Sequence, residues 1–240
     1  MPEQPARAWR AVLEHIERDL LEGRIGPGDR LASERDLAAD LGVGRSSVRE
    51  AFRVLEVLGL IRTSTGSGPQ AGAIVIATPT GGMSTLLRLQ VAAQGFPLAD
   101  VVQTRLLLED AVVTALAGQS VPDLAAAHRV LDAMDAAGLT SAEFLALDAQ
   151  LHLALAESSG NTVVAAIMAG LRTSIESYVQ EGASAISDWD AMAEVLRSEH
   201  RAIIDAITAG EASTARSLVR AHITGYYTAA GLTRSTRPID

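Results

Sequence analysis

The chain has 240 residues, a length that fits one or two domains at roughly 150 residues each. Its formal charge of −9 argues against a generally basic nucleic-acid coat, so any DNA-binding surface must be a local patch. There is no cysteine, which excludes disulfides and thiolate metal sites and leaves His, Asp and Glu as the metal donors. All 20 basic residues are arginine. No apolar run reaches the ~18 residues of a membrane span, and the first residues lack a signal-peptide core. A cytoplasmic protein is expected. Aromatic residues make up only 3% while Ala and Leu abound, which favours helix.

The charge is unevenly spread. Residues 1–76 carry 10 Arg and 11 acids, whereas 77–240 carry 10 Arg and 18 acids. Trp9, Val12, Leu13, Ile16 and Leu20 recur at helical spacing and predict a first helix over 8–22, closed by Gly26-Pro27-Gly28. Ser33 with Asp36 reads as an N-cap opening a short helix, and Gly42-Val43-Gly44 reads as a tight turn. A third helix is expected from about Arg45 to Leu58, with Val48, Ala51, Phe52 and Leu55 on its buried face and Gly59 ending it. Leu60 to Thr63 and Ala73 to Ile76 are strand-like runs on either side of a Gly/Ser/Pro-rich loop, as in a two-stranded wing. Thr78 to Gly82 has linker composition.

From Met83 onward every segment reads as helix. The expected helices are 83–93, a second opened by Pro97 and running to Gly118, a third capped within Ser120 to Asp123 and ending near Ala137, and a fourth in which Thr140 and Glu143 form a capping box. Three more start at Asn161, at Ser187 with Asp190, and at Glu211, completing an antiparallel helical bundle.

Two short helices joined by a glycine turn, the second bearing Arg45, Arg49 and Arg53, have the form that enters a DNA major groove. Arg45 and Arg49 share a face, and each guanidinium fork matches guanine O6 and N7. Arg53, one turn on, suits phosphate, and Ser46 and Ser47 suit phosphate or a base edge. The segment Leu31 to Ile61, LASERDLAADLGVGRSSVREAFRVLEVLGLI, closely resembles the winged helix-turn-helix of the GntR family of bacterial transcription regulators. The resemblance implies a homodimer on double-stranded operator DNA, and places Arg35, Arg45, Arg49 and the wing glycine Gly66 at DNA-contacting positions. The wing loop here, Gly66-Ser67-Gly68-Pro69-Gln70, lacks the basic residue common in that family.

The second half contains Asp148, four residues before His152, and two later histidines, His200 and His222, on separate predicted helices. Spacing puts Asp148 and His152 on one face but does not by itself bring the other two to them. Residues 83–230, however, resemble the all-helical FCD effector domain of the FadR subfamily. By that resemblance Asp148, His152, His200 and His222 hold a divalent metal such as Zn, Ni or Mn. Arg105 would clamp the carboxylate of a small organic acid, although Gln103 replaces the usual Glu of the E-x-R motif. Arg105 with Glu109 also reads as an ordinary surface i,i+4 ion pair. Asn161 is a candidate ligand contact or a helix cap. His15 and His128 are read as solvated, and Trp189, Tyr178, Tyr226 and Tyr227 as core or dimer packing.

The expected architecture is therefore mainly α: a winged helix-turn-helix domain over 1–77, a linker at 78–82, a helical metal- and ligand-binding domain over 83–232, and a tail at 233–240. The alternative is a metal-dependent enzyme with a DNA-targeting domain. It lacks an HExxH motif, and Glu199 points about 100° away from its neighbour His200 on the helix.

Overall fold

The computed structural model describes residues 5–64, 72–76, 81–94 and 96–232. Gly66, the segment 78–80 of the expected linker, the tail and the side chain of Tyr178 lie outside what is described. The chain divides into two compact units, Met1–Thr85 and Leu86–Asp240.

The first unit contains α1 (Pro5–Leu21), α2 (Glu34–Asp40), α3 (Arg45–Val57), β1 (Ile61–Ser64) and β2 (Gly72–Val75). The Ser33 hydroxyl accepts the Asp36 amide at 3.2 Å and starts α2, as its sequence position predicts. Gly42 turns the chain between α2 and α3 with φ +64°, a conformation that glycine adopts without steric cost. Val12 and Ile16 of α1, Leu37 of α2, and Val48, Ala51, Phe52 and Leu55 of α3 form one apolar core. The two strands pair antiparallel, with Ile61 opposite Val75. The segment before α2 adds to this wing, because Leu31 N donates to Ala73 O and Val75 N to Asp29 O, both at 2.9 Å. Glu56 of α3 accepts hydrogen bonds from the Thr63 amide and hydroxyl, fastening β1 to the helix and holding the Glu56 carboxyl below its ordinary pKa.

The remaining helices are α4 (Gly81–Gln94), α5 (Leu98–Ala117), α6 (Ala125–Met134), α7 (Ser141–Ser158), α8 (Thr162–Ala183), α9 (Trp189–Thr208) and α10 (Ala212–Ala229). Gly81 and Gly82, read as linker from composition, open α4 instead. The expected start and end of α6 contract as well. Its N-cap position is Leu124 with no side-chain bond, and Asp123 accepts only the Ala125 amide. Asp188, not Ser187, caps α9 by accepting the Ala191 amide at 3.0 Å. None of the described helices is long and apolar enough to cross a membrane.

In the helical unit α5 packs against α10, α7 against α6 and α8, and α9 against α10. The shared core includes Leu116, Phe144, Leu151, Leu196, Ile203, Ile207 and Tyr227. Leu116 is fully buried, and Leu116→Ala is expected to lower stability by about 2–5 kcal/mol in chemical denaturation, the range for a cavity left in a packed core.

The capping box at α7 has both of its bonds: the Thr140 hydroxyl accepts the Glu143 amide, and Glu143 accepts the Thr140 amide at 2.8 Å. Hydrogen bonds from the Thr140 hydroxyl and backbone hold the Glu143 carboxyl below its ordinary 4.5. A carboxyl lowered by folding contributes stability above its unfolded pKa and loses that contribution in acid. Thr140→Ala should therefore lower the unfolding temperature at pH 7, and the deficit should shrink as pH falls below about 4.5.

Candidate functional site

On the first unit, α3 exposes Arg45, Ser46, Arg49 and Arg53 along one side and buries Val48, Ala51 and Phe52 along the other. Ser47 departs from expectation. It is 8% exposed, on the same inward side as its neighbour Val48, so its hydroxyl does not belong to the exposed edge. Arg49 forms a two-point ion pair with Glu34 of α2, Nη2 to Oε2 at 2.8 Å and Nε to Oε1 at 3.3 Å. This pairing raises the Arg49 pKa. Arg35 bonds Asp36 at 3.2 Å while its side chain stays 74% exposed. The surface thus offers several guanidinium groups, two of them resting on carboxylates.

The second site is built by α5, α7, α9 and α10. Asp148 and His152 lie one turn apart on α7, His200 sits midway along α9, and His222 lies on α10; all four are buried. One donor atom from each gathers within 4.8 Å of the others. His152 Nε2 lies 3.3 Å from His222 Nε2, His200 Nε2 lies 3.2 Å from His222 Nε2, and Asp148 Oδ1 lies 3.0 Å from His200 Nε2. Asp148 Oδ1 is 3.6 Å from His222 Nε2, and Oδ2 is 3.8 Å from His152 Nε2. Metal–nitrogen bonds of about 2.0–2.1 Å put neighbouring donors about 3.3 Å apart in a tetrahedral shell and about 3 Å apart in an octahedral one, so these separations fit a first-row divalent ion, and an octahedral shell leaves two positions beyond the four side chains.

The outer ring nitrogens support the same reading. His222 Nδ1 lies 2.9 Å from Glu199 Oε2, and His152 Nδ1 lies 2.5 Å from Glu109 Oε2. A proton on His222 Nδ1 shared with Glu199 turns the Nε2 lone pair of that ring toward the cluster, which is the tautomer a metal ligand requires. Glu109 stands close against the outer edge of the His152 ring, but among the described residues neither His152 Nδ1 nor His200 Nδ1 makes a hydrogen bond of good geometry.

Charge compensation is tight. Burial opposes the Asp148 charge, but hydrogen bonds from His200 and His222 and the nearby His152 outweigh it and hold the carboxyl well below its ordinary range. Burial, helped by the charge of His222, pushes His200 down to about 4. His222 is held up at about 9, because bonds to Asp148 and Glu199 overcome the cost of burial.

Arg105 and Glu109 are not the surface pair that their spacing allows. They are 3% and 2% exposed, and Arg105 Nε donates to Glu109 Oε1 at 2.6 Å. Glu109 is lowered to about 2: burial works against its charge, but His152 and Arg105 on either side prevail. Arg105 Nη2 lies 3.8 Å from Asp148 Oδ2 and makes no hydrogen bond among the described residues. Beside it a cavity of about 10 Å³, the room of a single water, is lined by Arg105, His152, Met168, Arg172 and Ile175. Arg172 is tied to Glu176 at 2.7 Å and Gln150 at 2.8 Å.

Asn161 lies elsewhere. It is exposed, and its side-chain oxygen accepts the Val163 and Val164 amides at 3.2 Å, so the residue caps α8 and is not part of the buried group. Sequence reading missed Glu109 and Glu199 as partners of the histidines, and Arg172 as a lining residue. The apolar run Leu106 to Leu108 was the one local sign that α5 turns charged residues inward.

Comparison with known proteins agrees with both halves. The FCD domain matches residues 100–225, more than half of the chain, and the domain described as bacterial regulatory proteins, gntR family, matches residues 9–69. The chain belongs to the GntR family. This GntR-type regulator is 26% identical over 226 residues to an Escherichia coli K12 protein named for regulation of the L-lactate dehydrogenase operon, covering 93% of this chain and 86% of that protein. It is also 26% identical over 219 residues to the transcriptional repressor NanR of Cronobacter sakazakii, covering 90% and 82%. A solved Streptococcus agalactiae GntR structure aligns with TM-score 0.61 at 25% identity, covering 92% of this chain and 97% of that one. The protein is a DNA-binding transcriptional regulator with an FCD effector domain, and the enzyme alternative falls with that assignment.

Proposed function

We propose that this regulator couples operator binding to a metal-chelated small organic acid held in its FCD domain. The observation that carries the reading is the convergence of Asp148, His152, His200 and His222 on one buried point beside Arg105. These four residues would hold a divalent ion such as Zn, Ni or Mn, and the bound ion would supply Lewis acidity for the oxygens of an effector. Arg105 would hold the effector carboxylate through the unbonded side of its guanidinium. A 2-hydroxy or 2-oxo acid suits this pairing, since it offers two chelating oxygens and a negative charge. The relative named for an L-lactate dehydrogenase operon adds support for a hydroxy acid.

At the DNA, Arg45 and Arg49 would read base edges, while Arg35, Ser46 and Arg53 would position the sugar-phosphate backbone. A homodimer in the cytoplasm would present two such helices to a near-palindromic operator. Effector binding would favour one arrangement of the regulator and so alter operator affinity reciprocally.

Two measurements test these assignments. On a duplex selected from a randomised library, Arg45→Ala should weaken specific binding by about 1–3 kcal/mol in a gel-shift titration. Arg53→Ala should weaken specific and non-specific duplexes alike and reduce the salt slope by about one. Unchanged specific binding in Arg45→Ala would refute the recognition-helix assignment. For the metal, Zn²⁺ at 100 times its dissociation constant should stabilise the wild type by about 2.7 kcal/mol in thermal unfolding. His200→Ala combined with His222→Ala should abolish both this shift and the bound metal found by elemental analysis. Arg105→Ala should keep the metal and lose the further stabilisation by small hydroxy acids.

A further inference from the structure

Glu109 is a carboxylate shared between two functions. Its Oε1 accepts from Arg105 Nε at 2.6 Å, and its Oε2 lies 2.5 Å from His152 Nδ1. All three side chains are buried, so the contacts are shielded from bulk solvent. We propose that Glu109 is a positioning residue that links the anion-clamping arginine to the metal-facing histidine, so that occupancy of Arg105 is felt as a change in metal affinity. This inference rests on the metal reading above and adds a role for a residue outside the four donors.

The direction follows from sharing. A carboxylate drawn to a guanidinium gives up negative charge that would otherwise act across the 2.5 Å contact on the imidazole opposite, and a less polarised imidazole is a weaker metal donor. Arg105 also places its own positive charge 3.8 Å from Asp148 Oδ2, next to the point where the donors meet. An incoming carboxylate takes up Arg105 hydrogen-bonding capacity and cancels its charge. Glu109 then turns more fully to His152, and the metal is held more tightly. By thermodynamic reciprocity, the metal strengthens carboxylate binding by the same factor. Arg105 and His152 line the same small space, so a group that reaches the arginine stands beside the bridge.

The test is a Co²⁺ titration of the full chain, read by binding isotherm and by the visible bands of the bound ion. Glu109→Gln should weaken Co²⁺ binding about 10–100-fold and shift the bands, as expected for loss of a carboxylate behind a ligating imidazole. Arg105→Met, which removes the charge but keeps the bulk, should tighten Co²⁺ about fivefold or more in the wild-type background. In the Glu109→Gln background the same change should have a smaller effect, since only the charge beside Asp148 remains to be removed. If Glu109→Gln does not fold, Glu109→Asp carries the test: its carboxylate, one methylene short, cannot serve both partners and should shift the bands as well. Wild-type affinity and bands in the Glu109 variant, or an equal Arg105→Met effect in both backgrounds, would overturn the bridge while leaving the metal site intact. Failure of the wild-type chain to bind Co²⁺ would overturn both.

Discussion

Six ionisable side chains share one dry interior in the helical unit, and their mutual compensation is the constraint on which its structure depends. Arg105, Glu109, Asp148, His152, His200 and His222 are each no more than 5% exposed. Removing any one from water alone would cost several kcal/mol. Together they alternate basic and acidic side chains, from Arg105 through Glu109 to His152 and from Asp148 to His200 and His222. Because the members come from α5, α7, α9 and α10, the need to keep every charge paired fixes how those helices meet. The apolar core around Leu116, Leu151 and Ile203 supplies the bulk of the packing. The polar group dictates its register.

Much of this was legible in the sequence, and the reasons differ by element. Caps at Ser33 and Thr140 are local, since three residues suffice to place the bond, and both occur as expected. The recognition helix Arg45–Val57 follows from its amphipathic spacing. The metal-type cluster was legible only through resemblance, because α7, α9 and α10 are brought together by tertiary packing that spacing does not encode. Glu109 escaped because an Arg and a Glu four apart look the same on a solvated face as in a core. Glu199 was set aside for its 100° offset from His200, yet that offset lets it reach the outer nitrogen of His222. Ser47 misled by residue type: a small hydroxyl tolerates an inward position next to Val48. The pairing of Arg49 with Glu34 spans fifteen residues and has no local signature.

The same logic of shared partners operates on the DNA-binding unit, under opposite solvent conditions. Arg49, 57% exposed, is held by Glu34, 35% exposed, where an ion pair is worth little, so the guanidinium can exchange this carboxylate for another acceptor at small cost. The pair keeps a long side chain extended from α3 and reduces the rotamer freedom lost on contact.

Arg172 brings a consequence for selectivity. It stands at the wall of a space of about 10 Å³ with its guanidinium engaged by Glu176 and Gln150. A guest larger than one water enters only by displacing a side chain, and the arginine yields most readily to a guest that offers it an anionic replacement. Neutral metabolites of the same bulk meet the steric obstacle without that compensation. On the proposed reading, discrimination by charge would precede discrimination by shape, and association would be slower than simple diffusion into an open cleft.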